Sequence, residues 1–223
     1  MDYLQEYLPF WKDLTPAQCQ ALSSASQQRR FRKDSVLHNG SGDCVGLMLV
    51  LSGQLRVYTL SSEGKELTLY RLFPRDLCLF SASCIMSSIQ FEVTVSAQED
   101  TEVIQIPSDV YKNLMEESLP VASYTNQLMA SHFSDVMWVM DQVLNKRLDA
   151  RLAALLLEEM ELQGTPQLIM THEQAANHLG SAREVVTRML QYFQSEGLVR
   201  LGRGSVALID PDGLRTLAEG SLR

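Results

Sequence analysis

Residues 171–201, THEQAANHLGSAREVVTRMLQYFQSEGLVRL, decide the fold of this chain, because they predict two helices joined by a tight turn. Thr171 and Gln174 have the spacing of a capping box, in which two side chains satisfy free N–H groups at the start of a helix. Gly180 suits the left-handed conformation that ends many helices. We therefore expect a first helix from Thr171 to Leu179, followed at once by a turn.

The second helix of this stretch has one apolar face and one polar face. Ser181, with Glu184 three residues later, repeats the capping-box spacing and is expected to begin the helix. Val186, Leu190 and Phe193 recur at helical spacing, so this stripe must be buried. A helix, a glycine turn and a second helix with a polar outer face form the helix-turn-helix pattern.

The polar face of the second helix carries residue types that read DNA bases. Arg183, Glu184, Thr187 and Arg188 lie on this face, which in a helix-turn-helix enters the major groove. Arginine bonds two atoms of guanine at once, and a carboxylate accepts from cytosine. The alternative is the solvated surface of an ordinary helical hairpin, because mixed Arg and Glu are common on exposed helices.

The segment after the second helix favours DNA binding. Residues 198–201 and 206–209 are apolar-rich runs on either side of Gly202-Arg203-Gly204, and this pattern predicts a β-hairpin. Such a hairpin is the wing of a winged helix-turn-helix, and either Arg200 or Arg203 is placed to reach a phosphate.

These residues resemble the signature of the CRP/FNR family of bacterial transcription regulators. The signature residues are Gly180, Ser181, Arg183, Glu184, Arg188, Gly197 and Leu198. The resemblance implies a homodimer that binds a palindromic operator in double-stranded DNA and works with RNA polymerase. It also implies that a signal in the N-terminal domain controls DNA binding allosterically.

The resemblance assigns roles to individual residues of the C-terminal part. Arg183, Glu184 and Arg188 are expected to read a TGTGA-like half-site. The candidates for phosphate contacts are Thr171, Ser181 and Arg203.

Between Phe31 and Ile106 apolar and polar residues alternate in short runs separated by turn signals such as Gly53 and Gly64. This pattern predicts an antiparallel sandwich or barrel, and it is similar to the family's cyclic-nucleotide-type β-roll. The sequence therefore predicts an α+β fold, with a jelly-roll-like β-roll, a long dimerisation helix and a winged helix-turn-helix.

The helix expected after Pro120 has apolar residues at coiled-coil spacing. The seam consists of Met129, Phe133, Val136, Met140 and Val143. A second stripe beside it consists of Ala130, Met137 and Leu144. With one stripe on the β-roll and the other on a partner helix, the pattern predicts a parallel homodimer. The alternative is a single amphipathic core helix.

The helical phase breaks near residues 145–148, where we expect a hinge. The expected boundaries are 1–117 for a β-roll effector-sensing domain, 118–147 for the dimerisation helix and hinge, and 148–223 for the winged helix-turn-helix DNA-binding domain.

The resemblance places the signal pocket in the β-roll, where cyclic-nucleotide binders use a Glu on the ribose and an Arg on the cyclic phosphate. The corresponding positions here are Phe80 and Phe91. Because a buried phosphate without a cation is very unfavourable, cyclic AMP is not expected as the effector. The aromatic and aliphatic residues predict a small, largely apolar effector of unknown identity, or none.

Cys78 and Cys84 lie in the same stretch and leave three interpretations open: buried packing, a redox pair, or a thiolate ligand to haem. A thiol-redox or haem-based sensor is therefore the alternative mechanism, although no His follows Cys78 as it does in haem-binding relatives. His38 and His132 are expected to be surface or satisfied polar residues. No metal site is expected from the cysteine spacing.

Composition restricts the function further. The net charge is −8, but residues 1–145 carry 10 Lys and Arg against 17 Asp and Glu, whereas residues 146–223 carry 9 against 10. The acidic excess therefore lies away from the DNA-reading helix. A cytoplasmic location is expected, because no run spans a membrane and no signal peptide is visible. No catalytic constellation is found, so we do not expect an enzyme.

Overall fold

The computed structural model describes residues 3–40, 45–81 and 92–222. The helices are α1 (Tyr3–Tyr7), α2 (Pro16–Ala25), α3 (Ser108–Glu117), α4 (Leu119–Asn145), α5 (Leu148–Gln163), α6 (His172–Leu179), α7 (Arg183–Ser195) and α8 (Pro211–Leu217). The strands are β1 (Gln27–Phe31), β2 (Val36–Asn39), β3 (Leu47–Ser52), β4 (Leu55–Leu60), β5 (Glu66–Leu72), β6 (Leu77–Cys78), β7 (Thr94–Ala97), β8 (Thr101–Ile106), β9 (Gln167–Ile169), β10 (Val199–Gly202) and β11 (Ser205–Leu208).

The chain divides into two compact units. The first unit contains residues 1–59 and 69–136, and the second contains residues 60–68 and 137–223. Strands predominate in the first and helices in the second, so the predicted α+β fold is confirmed.

Two four-stranded sheets form the β-roll, with strand orders β1-β8-β3-β6 and β2-β7-β4-β5. The pairs β1–β8, β3–β8 and β3–β6 are antiparallel, as are β2–β7 and β4–β7. Residues 47–50 of β3 are buried on both faces of their sheet, which explains why this strand is a continuous apolar run. The antiparallel β-roll predicted from the alternating pattern is confirmed.

Short helices from both ends of the first unit share one core with the β-roll strands. The core includes Leu4, Leu8, Phe10, Leu22, Leu47, Leu49, Leu77, Ile106, Tyr111 and Val121. The Phe10 ring contacts Tyr111 and Tyr124 edge-on, with ring centroids 6.4 and 5.3 Å apart. Strands, N-terminal helices and the start of α4 therefore pack together as a single core.

Helix α4 runs for 27 residues and ends at Asn145, and α5 begins at Leu148. The break predicted near residues 145–148 is therefore present. Among the described residues, no helix is long and apolar enough to cross a membrane.

The second unit contains the helix-turn-helix and its wing. Its core includes Leu152, Leu156, Leu168, Val186, Leu190, Phe193, Val206 and Leu214. The strands form an antiparallel sheet with the order β10-β11-β9. The predicted winged helix-turn-helix is confirmed.

The predicted start of α7 is wrong in one respect. Ser181 does not cap the helix, because α7 begins at Arg183 with Ala182 as its N-cap and no side-chain cap bond. Ser181 instead follows Gly180, which adopts the left-handed conformation, and its N–H donates to the Ala176 carbonyl at 3.0 Å. Ser181 therefore belongs to the turn that closes α6, where its N–H and that of Gly180 both donate to the Ala176 carbonyl.

Candidate functional site

Helix α7 separates its apolar and charged residues onto opposite faces. Val186 and Leu190 are completely buried in the core of the second unit, as is Phe193. Arg183, Glu184 and Arg188 are exposed. The buried stripe fixes the rotation of α7, so the guanidinium and carboxylate groups are presented to solvent as one surface.

Hydrogen bonds at both ends of helix α6 fix its position next to this surface. At its start the Thr171 hydroxyl accepts from the Gln174 N–H at 3.1 Å, and the Gln174 side chain accepts from the Thr171 N–H at 2.8 Å. The predicted capping box is therefore confirmed. At its end Arg151 donates to the Leu179 carbonyl at 2.7 Å, and burial lowers the pKa of Arg151. The turn before α7 is thus bonded to α5 as well as to α6.

A side-chain bond also joins α6 to the middle of α7. The His172 Nδ1 atom lies 2.9 Å from the Thr187 hydroxyl oxygen. Both side chains are half-buried, whereas Thr171 beside them is exposed. Of the residues expected to face DNA, Thr187 is therefore partly committed to a contact inside the protein.

The wing has a two-residue tip. Gly202 pairs with Ser205, so Arg203 and Gly204 form the tip, with Gly204 at a φ of +70°. Arg200 and Arg203 are both exposed. The hairpin thus presents two cations to solvent in the same unit as α7.

The second unit includes a segment distant in sequence, residues 60–68 between β4 and β5. The Thr68 hydroxyl lies 2.9 Å from His178 Nδ1, and Leu67 forms an antiparallel bridge with Leu179. A Cβ added to Gly180 would lie 3.2 Å from Leu67 Cδ1. This segment therefore packs directly against the turn that precedes α7.

In the first unit three aromatic side chains from distant parts of the sequence form a cluster that we call the ring cluster: Tyr70, Phe80 and His132. Tyr70 and His132 stack with ring centroids 4.3 Å apart and planes 9° apart. The Phe80 ring lies 6.0 Å from Tyr70 and 6.1 Å from His132. One buried cluster therefore brings together β5, the two residues that follow β6, and the middle of α4.

The ring cluster contains buried polar atoms without a hydrogen-bond partner. Among the described residues these atoms are the Tyr70 hydroxyl and His132 Nε2. The other His132 ring nitrogen lies 3.4 Å from the Asp135 carboxylate. Burial lowers the pKa of His132, although Asp135, Asp76 and the Leu77 backbone favour its protonated form. Burial likewise raises the pKa of Tyr70, so burial favours the uncharged form of both rings.

The comparisons with known proteins identify the family. The model of the cyclic nucleotide-binding domain matches residues 28–118, and that of the Crp-like helix-turn-helix domain matches residues 150–217. The transcriptional regulator SdrP of Thermus thermophilus is 30% identical over 176 residues, which cover 76% of this chain and 82% of that protein. The chain belongs to the CRP/FNR family.

Two further relatives cover nearly the whole chain. A crystal structure of a chain described as a transcriptional regulator of the CRP/FNR family, from Eubacterium rectale ATCC 33656, has 55% identity and a TM-score of 0.94 and covers 96% of this chain and 99% of its own. The cyclic AMP receptor protein of Thermus thermophilus is 26% identical over 95% of this chain and 97% of its own length. This CRP/FNR member is thus a transcription regulator with a DNA-binding domain.

The described part of the family's effector position does not fit a cyclic nucleotide. Phe80, where the resemblance expects the carboxylate for the ribose, is buried against two other rings. Phe91 lies outside the described residues, as does Cys84. An aromatic ring offers neither hydrogen bonds nor charge to a ribose phosphate.

Cys78 is completely buried, and burial raises the pKa of its thiol. A protonated, buried thiol is a poor nucleophile and a poor metal ligand, so this environment favours the packing interpretation of Cys78. No group of three or more His, Cys, Asp or Glu side chains able to hold a metal ion occurs among the described residues.

Helix α4 leaves an apolar stripe exposed. The residues are Phe133, Met137, Met140, Val143 and Leu144, of which Phe133 and Leu144 are each 67% exposed. Met129 and Val136, the other residues of the predicted seam, are half-buried. The exposed stripe therefore combines residues from both stripes seen in the sequence.

The sequence did not identify three features of these sites. His132 is buried with one unpartnered nitrogen, which differs from the expected surface or satisfied residue. Tyr70 carried no signal, because an aromatic residue in a β-strand is common. His172 lies directly after the cap Thr171, but its bond to Thr187 depends on how two helices pack.

Proposed function

We propose that this regulator is a homodimer that reads a palindromic operator with α7 and responds to an uncharged effector through its β-roll. The observation that carries the proposal is the exposed set of Arg183, Glu184 and Arg188 on a helix whose opposite face is fixed in a core. These side chains match the hydrogen-bonding groups of G·C base pairs in the major groove. Thr187 lies on the same helix beside them.

The backbone of the operator would be bound by residues around this helix. Thr171 and Ser181 flank the two ends of α6, and Arg203 is at the tip of the wing. Phosphate contacts of this kind position a protein on DNA without selecting a sequence. They also make binding salt-dependent.

Substitution of Arg188 tests base reading. A preferred site is first selected from random double-stranded DNA, and affinities are then measured for every single-base variant of one half-site. Arg188→Ala is expected to reduce discrimination at one base pair by about 5- to 150-fold, which corresponds to about 1–3 kcal/mol. The matched control is Arg215→Ala, because Arg215 is an exposed arginine of the same unit that pairs with Asp212 on α8.

The outcome separates the two roles of an arginine. Equal weakening on all sequences would make Arg188 a phosphate contact and remove it from the reading set. Loss of discrimination by Arg215→Ala to the same extent would contradict the assignment of reading to α7.

The exposed stripe of α4 supports the homodimer. A stripe that includes two residues at 67% exposure is costly in water, and it continues at coiled-coil spacing from Phe133 through Met137, Met140 and Leu144. A second copy of the chain offers the same stripe in return. Two recognition helices roughly 34 Å apart would then match one turn of DNA.

Sedimentation measurements test the dimer. Phe133→Glu is expected to shift the protein to monomers, because it places a charge in the seam. Ser134→Glu is the control, since Ser134 is exposed and lies about 100° round the helix. A dimer that persists in the first variant, or is lost equally in both, contradicts the seam.

The ring cluster supports an uncharged effector. Its unpartnered Tyr70 hydroxyl and His132 nitrogen offer hydrogen bonds, and neither ring carries charge. Operator affinity should therefore change on addition of the small-molecule fraction of a bacterial cell extract and remain constant with cyclic AMP. His132→Phe should abolish the first response. A cyclic AMP response in the wild-type protein would contradict this part of the proposal.

A further inference from the structure

The contact between His172 and Thr187 links the fixed part of the helix-turn-helix to its reading surface. His172 is the first residue of α6, directly after the capping box of Thr171 and Gln174. Two reciprocal hydrogen bonds therefore hold the helix start that contains His172, one at Thr171 and one at Gln174. From this position its Nδ1 reaches the Thr187 hydroxyl, 2.9 Å away on α7.

Thr216, another helical threonine of the same unit, uses its hydroxyl differently. It donates to the carbonyl of Asp212 at 3.1 Å. This bond remains within one helix, four residues back. The hydroxyl of Thr187 instead faces a side chain on the neighbouring helix.

This difference selects a rotamer. A threonine in a helix has two accessible χ1 rotamers, which direct the hydroxyl and the methyl group differently. The bond to His172 favours the rotamer that directs the hydroxyl towards α6. The methyl group is then the part of Thr187 that remains for an external contact, between the exposed residues Glu184 and Gln191 on the same helix.

A methyl group in this place has one specific partner in DNA. In the major groove only thymine presents a methyl group, and small apolar groups of a recognition helix pack against it. We propose that His172 is a positioning residue that orients Thr187 so that its methyl group reads a thymine. The inference rests on the proposed function, because it requires α7 in the major groove, and it adds a thymine preference to the polar reading by arginine and glutamate.

Deoxyuridine provides the probe, because it differs from thymidine only by this methyl group. The thymines of one half-site of the selected operator are replaced by deoxyuridine one at a time, and each affinity is measured by fluorescence anisotropy. The wild-type protein is expected to bind about fourfold more weakly at one position, since burial of one methyl group is worth about a fourfold change in affinity.

Three variants test the role of His172. His172→Phe keeps a ring without the hydrogen bond. It should bring the ratio of the affinities for thymidine and deoxyuridine at that position close to one. Thr187→Ser lacks the methyl group and should do the same. The double variant His172→Phe with Thr187→Val should restore the preference, because valine presents a methyl group in either orientation. Restoration of a base preference is a result that a merely stabilising role of His172 would not give.

The matched control is His178→Phe. His178 is on the same helix and its Nδ1 also bonds a threonine hydroxyl, that of Thr68, which is not on α7. This variant should keep the thymine preference. Thermal unfolding of each variant establishes that it is folded before its affinities are compared.

The outcomes distinguish this inference from the proposed function. If Arg188→Ala relaxes base choice but His172→Phe keeps the full thymine preference, the inference is wrong and the proposed function stands. If His178→Phe loses the preference as His172→Phe does, the positioning role is also wrong. If no sequence is preferred by the wild-type protein, the proposed function itself fails.

Discussion

The recognition helix and the ring cluster treat polar groups in opposite ways. On α7 the charged groups of Arg183, Glu184 and Arg188 are in water, and their positions follow from a buried stripe a few residues away. In the ring cluster the Tyr70 hydroxyl and His132 Nε2 are buried without a partner in the described part of the chain, among residues far apart in the sequence. The surface proposed to read DNA is thus built locally, whereas the proposed effector site is assembled from distant segments.

The difference has a physical origin. A charged surface needs only solvent on one side and a fixed rotation on the other, and helical spacing supplies both. A buried polar group needs the surrounding protein or a ligand to satisfy it, because an unpartnered buried group costs about 1–3 kcal/mol. The ring cluster keeps two such groups together in one place.

The largest expected effect tests whether α7 depends on its local core. Phe193→Ala should lower the free energy of unfolding by about 3–5 kcal/mol, because Phe193 is completely buried and its removal leaves a cavity. Tyr192→Ala is the adjacent control; its ring is 52% exposed, and the expected loss is below about 1 kcal/mol. Urea unfolding followed by circular dichroism gives both values.

Similar losses in the two variants would show that the buried stripe does not fix α7. The exposed face would then lack the rigid support on which base reading depends. The local origin of the charged surface on α7 would then be contradicted.

The sequence predicts the second unit well because its signals are local. The capping box of Thr171, the left-handed Gly180 and the stripe from Val186 to Phe193 all act within a few residues. The prediction that Ser181 begins α7 is wrong, because it considers only the capping ability of the Ser181 side chain. Its backbone N–H is used by the preceding helix, and spacing alone does not reveal that competition.

The ring cluster was less predictable because its contacts are not local. The sequence indicated Phe80 from a resemblance, and the structure places Phe80 beside two rings that lie 10 residues before it and 52 residues after it. No periodicity connects residues at such separations. The burial of His132 follows from helix packing on the β-roll, which differs from the expectation of a surface or satisfied polar residue.

A second prediction concerns the exception to locality in the second unit, the contact between Leu67 and Gly180. Gly180 and Gly197 both adopt positive φ, +66° and +76°. Alanine at either position should therefore cost about 1–2 kcal/mol of stability. Only at Gly180 would the new methyl group meet a neighbour, Leu67 at 3.2 Å, whereas nothing lies within 4 Å at Gly197.

Gly180→Ala should therefore cost about 1 kcal/mol more than Gly197→Ala, measured by thermal unfolding. Leu67→Ala should remove most of this excess when combined with Gly180→Ala. Equal losses of stability for the two glycine variants would show that the segment 60–68 does not constrain the turn. The turn before α7 would then depend only on residues close to it in the sequence.

The smallest expected effect concerns the ionisation of His132 in the ring cluster. Burial lowers the pKa of His132 from its ordinary value of 6.5, and the opposing influence of Asp135, Asp76 and the Leu77 backbone offsets part of this change. Between the ordinary and the lowered pKa, the unfolded chain binds a proton that the folded chain does not bind. Stability should therefore be unaffected above the ordinary pKa, fall as the pH drops below it, and level off below the lowered pKa.

The measurement is the thermal midpoint from about pH 8 to about pH 5 for the wild-type protein and for His132→Gln, which does not titrate in this range. The difference between the two midpoints should change with pH in the direction just given. Asp135→Asn removes a carboxylate that favours the protonated ring, so it should lower the pKa of His132 further and extend the loss to lower pH. A difference that stays constant with pH would mean that His132 ionises equally well in the folded protein. The ring cluster would then be open to water, and the contrast between the solvated face of α7 and a dry ring cluster would no longer hold.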